Sequence, residues 1–283
     1  MIHWLQSPQS ALVAKYVDCY WVIEKTLDST AHQYPKLNPD PCAHLIISPQ
    51  SQAYHYDFNP GVAAGQGSHW LFPHKQTVEL DHSKPFIHIG IKFKTGALYN
   101  LPDFSDDPLS LDRVEQLEGS ALHSQLRLDE SALIDAARCN PEQCCELLDT
   151  LLAPWLVNCA EDQHSKLTSK IMKLLDKVSI SELGDQLYCS QRTLERSFQR
   201  VTGLTLKQCQ SMNRLEEMLE YVYQRDAAEL DWVDVAFKFG FSDQPHLIRY
   251  LKKQLGFTPK TYEKERGLTI DAYGGVRSNF PTS

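Results

Sequence analysis

The chain lacks most of the signatures that mark an enzyme or a membrane protein. Its 283 residues contain no GxSxG, no P-loop and no HExxH, and no nucleophile stands beside identifiable partners. These absences remove the corresponding hydrolase, phosphate-binding and metalloprotease readings, so a protein that is not an enzyme and needs no cofactor is expected. No apolar run approaches the roughly 20 residues needed to span a bilayer, so no membrane partner is expected. The opening Met1-Ile2-His3-Trp4-Leu5-Gln6-Ser7 lacks the basic and apolar regions of a secretory signal, and a cytoplasmic location is expected. The eight cysteines form no CxxC pair, and Cys144 and Cys145 are adjacent, which suits reduced thiols on a buried helix better than a disulfide framework.

What is present is unevenly distributed. The net charge is −8, which taken whole argues against nucleic acid. Residues 1–164, however, hold 10 basic against 21 acidic side chains, whereas residues 165–266 hold 17 against 14 and are the only basic part. The excess is small, so affinity for phosphate has to come from placement rather than bulk charge. The length suits two domains.

Between residues 10 and 97 the pattern favours strands at Tyr16–Ile23, Ala43–Ile47, Thr77–Leu80 and Phe86–Phe93, separated by turn chemistry such as Asn59-Pro60-Gly61. Short strands at this spacing predict a small barrel or sandwich. Gly96–Leu101 reads as a short helix stopped by Pro102. From 113 to 157 helices are expected at Val114–Arg127, Glu130–Arg138 and Pro141–Val157. The last carries an apolar stripe through Cys144, Leu147, Leu148, Leu151, Leu152, Trp155 and Leu156, suited to intradomain core or to a homodimer contact. Residues 158–165 read as a linker, 166–266 as helices, and 267–283 as a loose tail. The fold class expected is therefore α+β with two domains, 1–157 β-rich with a helical extension and 166–266 all-α.

The all-α part contains one pattern twice. In the second copy, Asp231–Phe239 reads as a leading helix with Val235 and Ala236 inward, Gly240 as a left-handed cap, and Ser242 as the N-cap of a second helix with Pro245 in its first turn. Leu247, Leu251 and Leu255 form its buried stripe, with Gln244, His246, Arg249, Lys252 and Lys253 opposite. In the first copy, Ile180–Tyr188 leads, Gly184 takes the small crossing position, and Ser190 caps a helix with Leu194, Phe198 and Val201 inward. Outward lie Gln191, Arg192, Glu195, Arg196, Gln199 and Arg200, and the turn has Tyr188-Cys189 where the second copy has Gly-Phe. Between the copies, Leu206–Arg225 reads as one helix about 30 Å long, close to the ~34 Å repeat of the major groove on one side of B-DNA. Two helix-turn-helix units on such a spacer predict a protein that binds double-stranded DNA.

Residues 165–266 resemble the DNA-binding domain of the AraC/XylS transcription regulators. The likeness is carried by Gly240-Phe241-Ser242-Asp243-Gln244-Pro245-His246-Leu247, by Gly256-Phe257-Thr258-Pro259, by Ser190 to Phe198, and by Asn213-Arg214-Leu215-Glu216. The resemblance implies that Arg192, Glu195 and Arg196 face bases in the first copy and Gln244, His246 and Arg249 in the second, with Ser190 and Gln199 completing the DNA-facing set. Glu195 either accepts from cytosine or orients Arg192 or Arg196. Lys207, Arg214 and Lys253 either meet phosphates or are solvated. More loosely, residues 37–47 and 89–97 resemble the barrel-like sensor domain of one branch of the family, which implies a small-molecule effector and a homodimer as candidate partners, and a transcription regulator has RNA polymerase as a further candidate. Nine of the eleven histidines lie in residues 1–123 without metal-ligand spacing, so scattered hydrogen-bonded histidines are expected. The alternative is a metal-binding, cupin-like sensor or enzyme that carries the DNA-binding module as an appendage.

Overall fold

The computed structural model describes residues 2–27, 32–104, 111–117, 128–225 and 230–273. Its strands are β1 Ile2–Gln6, β2 Val17–Lys25, β3 Lys36–Leu37, β4 His44–Ile47, β5 Ala53–Asp57, β6 Val62–Gln66, β7 His69–Leu71, β8 Val78–Leu80, β9 Phe86–Phe93 and β10 Val114–Gln116. They form two sheets, one of six strands in the order β1-β2-β9-β4-β7-β10 and one of four in the order β3-β8-β5-β6. The result is an open two-sheet domain, not a closed barrel.

Strand β9 shows how the sequence builds the two sides of the larger sheet. It is buried along its whole length, and successive side chains point to opposite faces. Ile89, Ile91 and Phe93 join the large apolar core. His88, Gly90 and Lys92 alternate with them, so polar groups emerge on the other face of the sheet. Gly90 pairs with Trp21 across β2, and the indole lies over it: a Cβ at Gly90 would come within 1.8 Å of Trp21 Cε2.

Two helices cover the core face, α1 Glu130–Cys139 and α2 Pro141–Leu156. Asn140 caps α2 by accepting from the Gln143 amide, and Pro141 occupies the first turn, where its missing N–H breaks no helical bond. The α2 stripe of Cys144, Leu148, Leu152 and Trp155 is buried in the same core as Tyr20, Leu45 and Phe93. These four are intradomain core, whereas Leu147 of the same stripe is exposed. Each buried leucine contributes about 1.5–3 kcal/mol by leaving water.

The helices that follow are α3 Gln163–Met172, α4 Leu183–Leu187, α5 Gln191–Thr202, α6 Leu206–Tyr223, α7 Trp232–Lys238, α8 Gln244–Leu255, α9 Pro259–Glu265 and α10 Thr269–Tyr273. They hold two cores of their own, one around Leu194, Phe198 and Cys209, the other around Leu219, Val235, Leu247 and Leu251. Helix α6 contributes to both.

Several expectations are corrected. Val114–Arg127 is not a helix at its start: Val114–Gln116 pairs with β7, while 118–127 lie outside the described residues. The segment 158–165, read as linker, already contains the first turn of α3, capped by Asp162. Residues 267–273 are not a loose tail. Lys36 donates its amide to the Gly267 carbonyl, Leu268 is fully buried, and α10 follows; residues 274–283 lie outside the described residues. All eight cysteines are unpaired.

Candidate nucleic-acid interface and interdomain cavity

The two helix-turn-helix units are closed by the same hydrogen bonds. The Cys189 amide donates to the Gly184 carbonyl at 3.0 Å, and the Phe241 amide donates to the Ala236 carbonyl at 2.8 Å. Each leading helix thus ends in the same wrap, with a left-handed residue just before the donor. In the second unit that residue is Gly240, φ 73°; in the first it is Tyr188, φ 52°. Gly184 is explained by the same turn, because a Cβ there would lie 3.0 Å from the Cys189 carbonyl oxygen.

One of the two caps differs from expectation by one residue. Ser190 caps α5, its hydroxyl accepting from the Thr193 amide at 3.2 Å. Helix α8 is capped by Asp243, not Ser242: the Asp243 carboxylate accepts from the His246 amide at 2.6 Å, and Ser242 donates to Asp243. The second unit carries one extra residue in its turn. A carboxylate also suits the positive end of the helix better than a hydroxyl does.

Beyond the caps, Arg192, Arg196 and Gln199 are exposed on α5, and His246 and Arg249 on α8, with Gln244 half-buried. Glu195 takes a hydrogen bond from Gln191 at 3.3 Å, so its observed partner is neither Arg192 nor Arg196. Arg200, at the end of α5, is engaged elsewhere: its Nε donates to Tyr99 Oη at 2.9 Å. Lys207, Arg214 and Lys253 come together in one groove of about 920 Å³, where Lys75 and Lys238 join them and Asp176 and Glu217 supply two acidic groups. Lys207 and Lys253 are exposed, whereas the Arg214 guanidinium is half-buried and stacked 4.6 Å from the Phe241 ring centre and 5.3 Å from that of Tyr250. Sequence reasoning missed Lys75 and Lys238, because the groove is assembled by the fold.

A second feature lies between the domains. A cavity of about 300 Å³ is walled by Trp21 and Tyr56 of the sheets, by Glu216 and Tyr223 of α6, and by Ile270 and Tyr273 of α10. Beside it, Lys92 Nζ sits 3.1 Å from Asp40 Oδ2 and 3.5 Å from Glu216 Oε1, which ties β9 to α6. Trp21 Nε1 donates to His44 Nδ1 at 3.1 Å, which leaves the His44 Nε2–H to donate to Asp40 Oδ2 at 3.1 Å. Burial alone would raise the Asp40 carboxyl, but Lys92 and His44 hold it far below the usual carboxylate range. His82 Nδ1 lies 2.6 Å from Tyr273 Oη and fastens α10 to the smaller sheet's side.

The histidines are spread among separate partners. His69 Nδ1 donates to the Gly67 carbonyl at 2.9 Å, so its Nε2 accepts from Tyr56 Oη at 2.8 Å. Among the described residues, no group of three or more His, Cys, Asp or Glu side chains is placed to hold a metal ion. Among them, too, no helix is long and apolar enough to cross a membrane.

Comparison with known proteins gives matches in two separate parts of the chain. A family model described as a helix-turn-helix domain matches residues 183–265, and one described as a domain of unknown function (DUF6597) matches residues 6–109. The HTH-type transcriptional activator RhaS of Escherichia coli is 31% identical over 91 residues, which cover 32% of this chain and 32% of RhaS. The chain thus spans about a third of the length of the curated relatives it matches. Among solved structures, the apo form of a ToxT variant from Vibrio cholerae aligns over 93% of this chain and all of that one, with a TM-score of 0.51 at 10% identity. That likeness is one of fold, an N-terminal β-rich domain followed by a helical one. Residues 183–265 are therefore a helix-turn-helix domain, similar to that of RhaS.

Proposed function

We propose that this chain is a sequence-specific DNA-binding transcription regulator whose α5 and α8 enter adjacent major grooves. The observation that carries the reading is the pairing of two helix-turn-helix units, each with arginine on an exposed face, joined by one 18-residue helix. Helix α6 is about 27 Å long at 1.5 Å per residue, which is commensurate with the spacing of grooves on one side of the duplex.

In this reading Arg192, Arg196 and Arg249 read guanine and Gln244 reads adenine, with Ser190, Glu195, Gln199 and His246 completing the contact face. Lys207, Arg214 and Lys253 track the phosphates, and their groove with Lys75 and Lys238 supports that role. The acidic N-terminal domain sets the poise of the module through a small effector in the interdomain cavity. The cavity supports this because both domains wall it. A homodimer and RNA polymerase are the further partners of the same reading, the latter because the relative RhaS is a transcriptional activator.

Affinity selection of genomic fragments by the full chain at near-physiological salt tests the proposal. A motif of two elements about 10 base pairs apart is expected. Absence of any enriched sequence, with or without candidate effectors, overturns it.

A further inference from the structure

On the wall of the interdomain cavity, the fold fixes the hydrogen-bonding sense of His88. Gln52 clamps the backbone of Ile87: its Oε1 accepts from the Ile87 amide at 2.8 Å, and its Nε2 donates to the Ile87 carbonyl at 3.1 Å. That pairing identifies which end of the Gln52 side chain is the NH2 group. The same NH2 group lies 3.3 Å from His88 Nδ1, so Nδ1 is an acceptor, and the Ser48 hydroxyl donates to it at 2.7 Å. The ring proton of His88 is therefore on Nε2. Burial, with His69 and His82 nearby, holds the ring uncharged.

His88 is only 8% exposed, and its Nε2–H has no hydrogen-bond partner among the described residues. A buried donor without a partner costs about 1–3 kcal/mol. His88 lines both the cavity and a neighbouring pocket of about 260 Å³, which shares Tyr56, Leu80 and His82 with it. Other polar groups on the wall are already engaged or can turn. Trp21, His44 and Asp40 bond one another, and Tyr56 donates to His69. The hydroxyls of Tyr223 and Thr269 rotate to suit a donor or an acceptor. His88 cannot turn in this way, and it asks for an acceptor. A neutral N–H matches a carbonyl dipole, whereas a buried carboxylate needs a full counter-charge. No lysine or arginine among the described residues lines the cavity, and the Lys25 ammonium donates to the His82 carbonyl at 2.6 Å.

We propose that the cavity binds a small uncharged molecule with an aromatic or alicyclic body and one carbonyl oxygen, which accepts from His88 Nε2–H. The body lies against Trp21, Tyr223 and Ile270. The inference rests on reading the cavity as the effector site of the regulator, and it adds the ligand's chemical class and its anchor. His88 stands on β9, Tyr223 on α6 and Ile270 on α10. An anchored ligand therefore bridges the larger sheet and the helix that joins the two helix-turn-helix units.

The test titrates the full chain with 4-phenylbutan-2-one, butylbenzene and 3-phenylpropanoate, a ketone, a hydrocarbon and a carboxylate of similar shape, read by tryptophan fluorescence and thermal shift. His88→Asn keeps an acceptor for Ser48 and Gln52 but removes the donor. It should weaken the ketone about tenfold, equivalent to ~1.4 kcal/mol, and leave the hydrocarbon nearly unchanged. His88→Gln, whose amide nitrogen reaches the place of Nε2, should restore most of the ketone affinity. In the parent chain the imidazole nitrogen resonances of His88 should report the Nε2–H form, and the Nε2 signal should move more with the ketone than with the hydrocarbon. That measurement stands even where a variant fails to fold. A proton on Nδ1, a ketone affinity that survives His88→Asn, a carboxylate that binds more tightly than the ketone, or no binding of the ketone overturns the proposal. None of these readouts involves DNA, so failure here is distinct from failure of the regulator reading, which the selection of genomic fragments decides.

Discussion

Tyr188 and Gly240 occupy equivalent left-handed positions in the turns of the two helix-turn-helix units, at φ 52° and φ 73°. Only one of them is glycine. For a residue with a Cβ this conformation costs roughly 1–2 kcal/mol, and Tyr188 recovers little by packing because it is 97% exposed. Tyr188→Gly should therefore stabilise the chain by about 1 kcal/mol, visible as a higher urea midpoint at unchanged slope. Gly240→Ala should destabilise it by a similar amount. A neutral or destabilising Tyr188→Gly would contradict the strain assigned to the first turn.

Lys92 offers a sharper test of the buried charges beside the interdomain cavity. Burial would lower its pKa, but Asp40 and Glu216 raise it well above the ordinary value, so it is a cation at every working pH. Lys92→Met leaves Asp40 buried without that partner and should cost about 3–5 kcal/mol. Pairing it with Asp40→Asn should restore part of the loss, and the double-mutant cycle measures the coupling. Additive losses would mean that Lys92 and Asp40 do not stabilise one another.

At Gly90 the expectation concerns shape. Gly90→Ala places a methyl group within the volume of the Trp21 indole, and such overpacking costs about 1–3 kcal/mol. Because Trp21 also walls the interdomain cavity, its emission spectrum and any ligand affinity should change together. A variant that melts and fluoresces like the parent would show that the indole does not lie over this strand.

Acid should weaken the N-terminal domain in a defined window. Burial holds His69 at about 4, and burial followed by the nearby Lys25 ammonium holds His82 at about 3. The unfolded values lie near 6.5, so as pH falls the unfolded chain takes up protons first. The stability these histidines contribute is present above pH ~6.5 and is lost progressively from there toward their folded values, at about 1.4 kcal/mol per pH unit for each. The urea midpoint should fall between about pH 7 and pH 5, and His69→Gln should flatten that decline. A midpoint independent of pH across this range would be inconsistent with both histidines being buried and uncharged.

Much of the helical half is legible from residue patterns, because local rules build it. The stripes of Leu194, Phe198 and Val201 and of Leu247, Leu251 and Leu255 are buried as their helical spacing requires. The displaced α8 cap shows where such reasoning fails. Aligning Ser190 with Ser242 assumes equal turns, and the extra residue hands the role to Asp243. In the N-terminal half, β9 is plain from its apolar content, whereas Val114–Gln116 becomes a strand only by pairing with β7, a tertiary effect that overrides local preference. The cavity could not be read from sequence at all. Its walls come from positions as distant as Trp21, Glu216 and Tyr273, and the last lies in a segment whose composition resembles a loose tail.

The central claim is that each of the two units reads its own stretch of DNA, and footprinting Arg196→Ala and Arg249→Ala separately on the selected motif tests it most directly. Each substitution should relax one element, about 10 base pairs from the other, and cost about 1–3 kcal/mol in specific affinity while leaving the second element protected. Loss of neither element, or equal loss of both from either substitution, would contradict a chain that reads two adjacent grooves with α5 and α8.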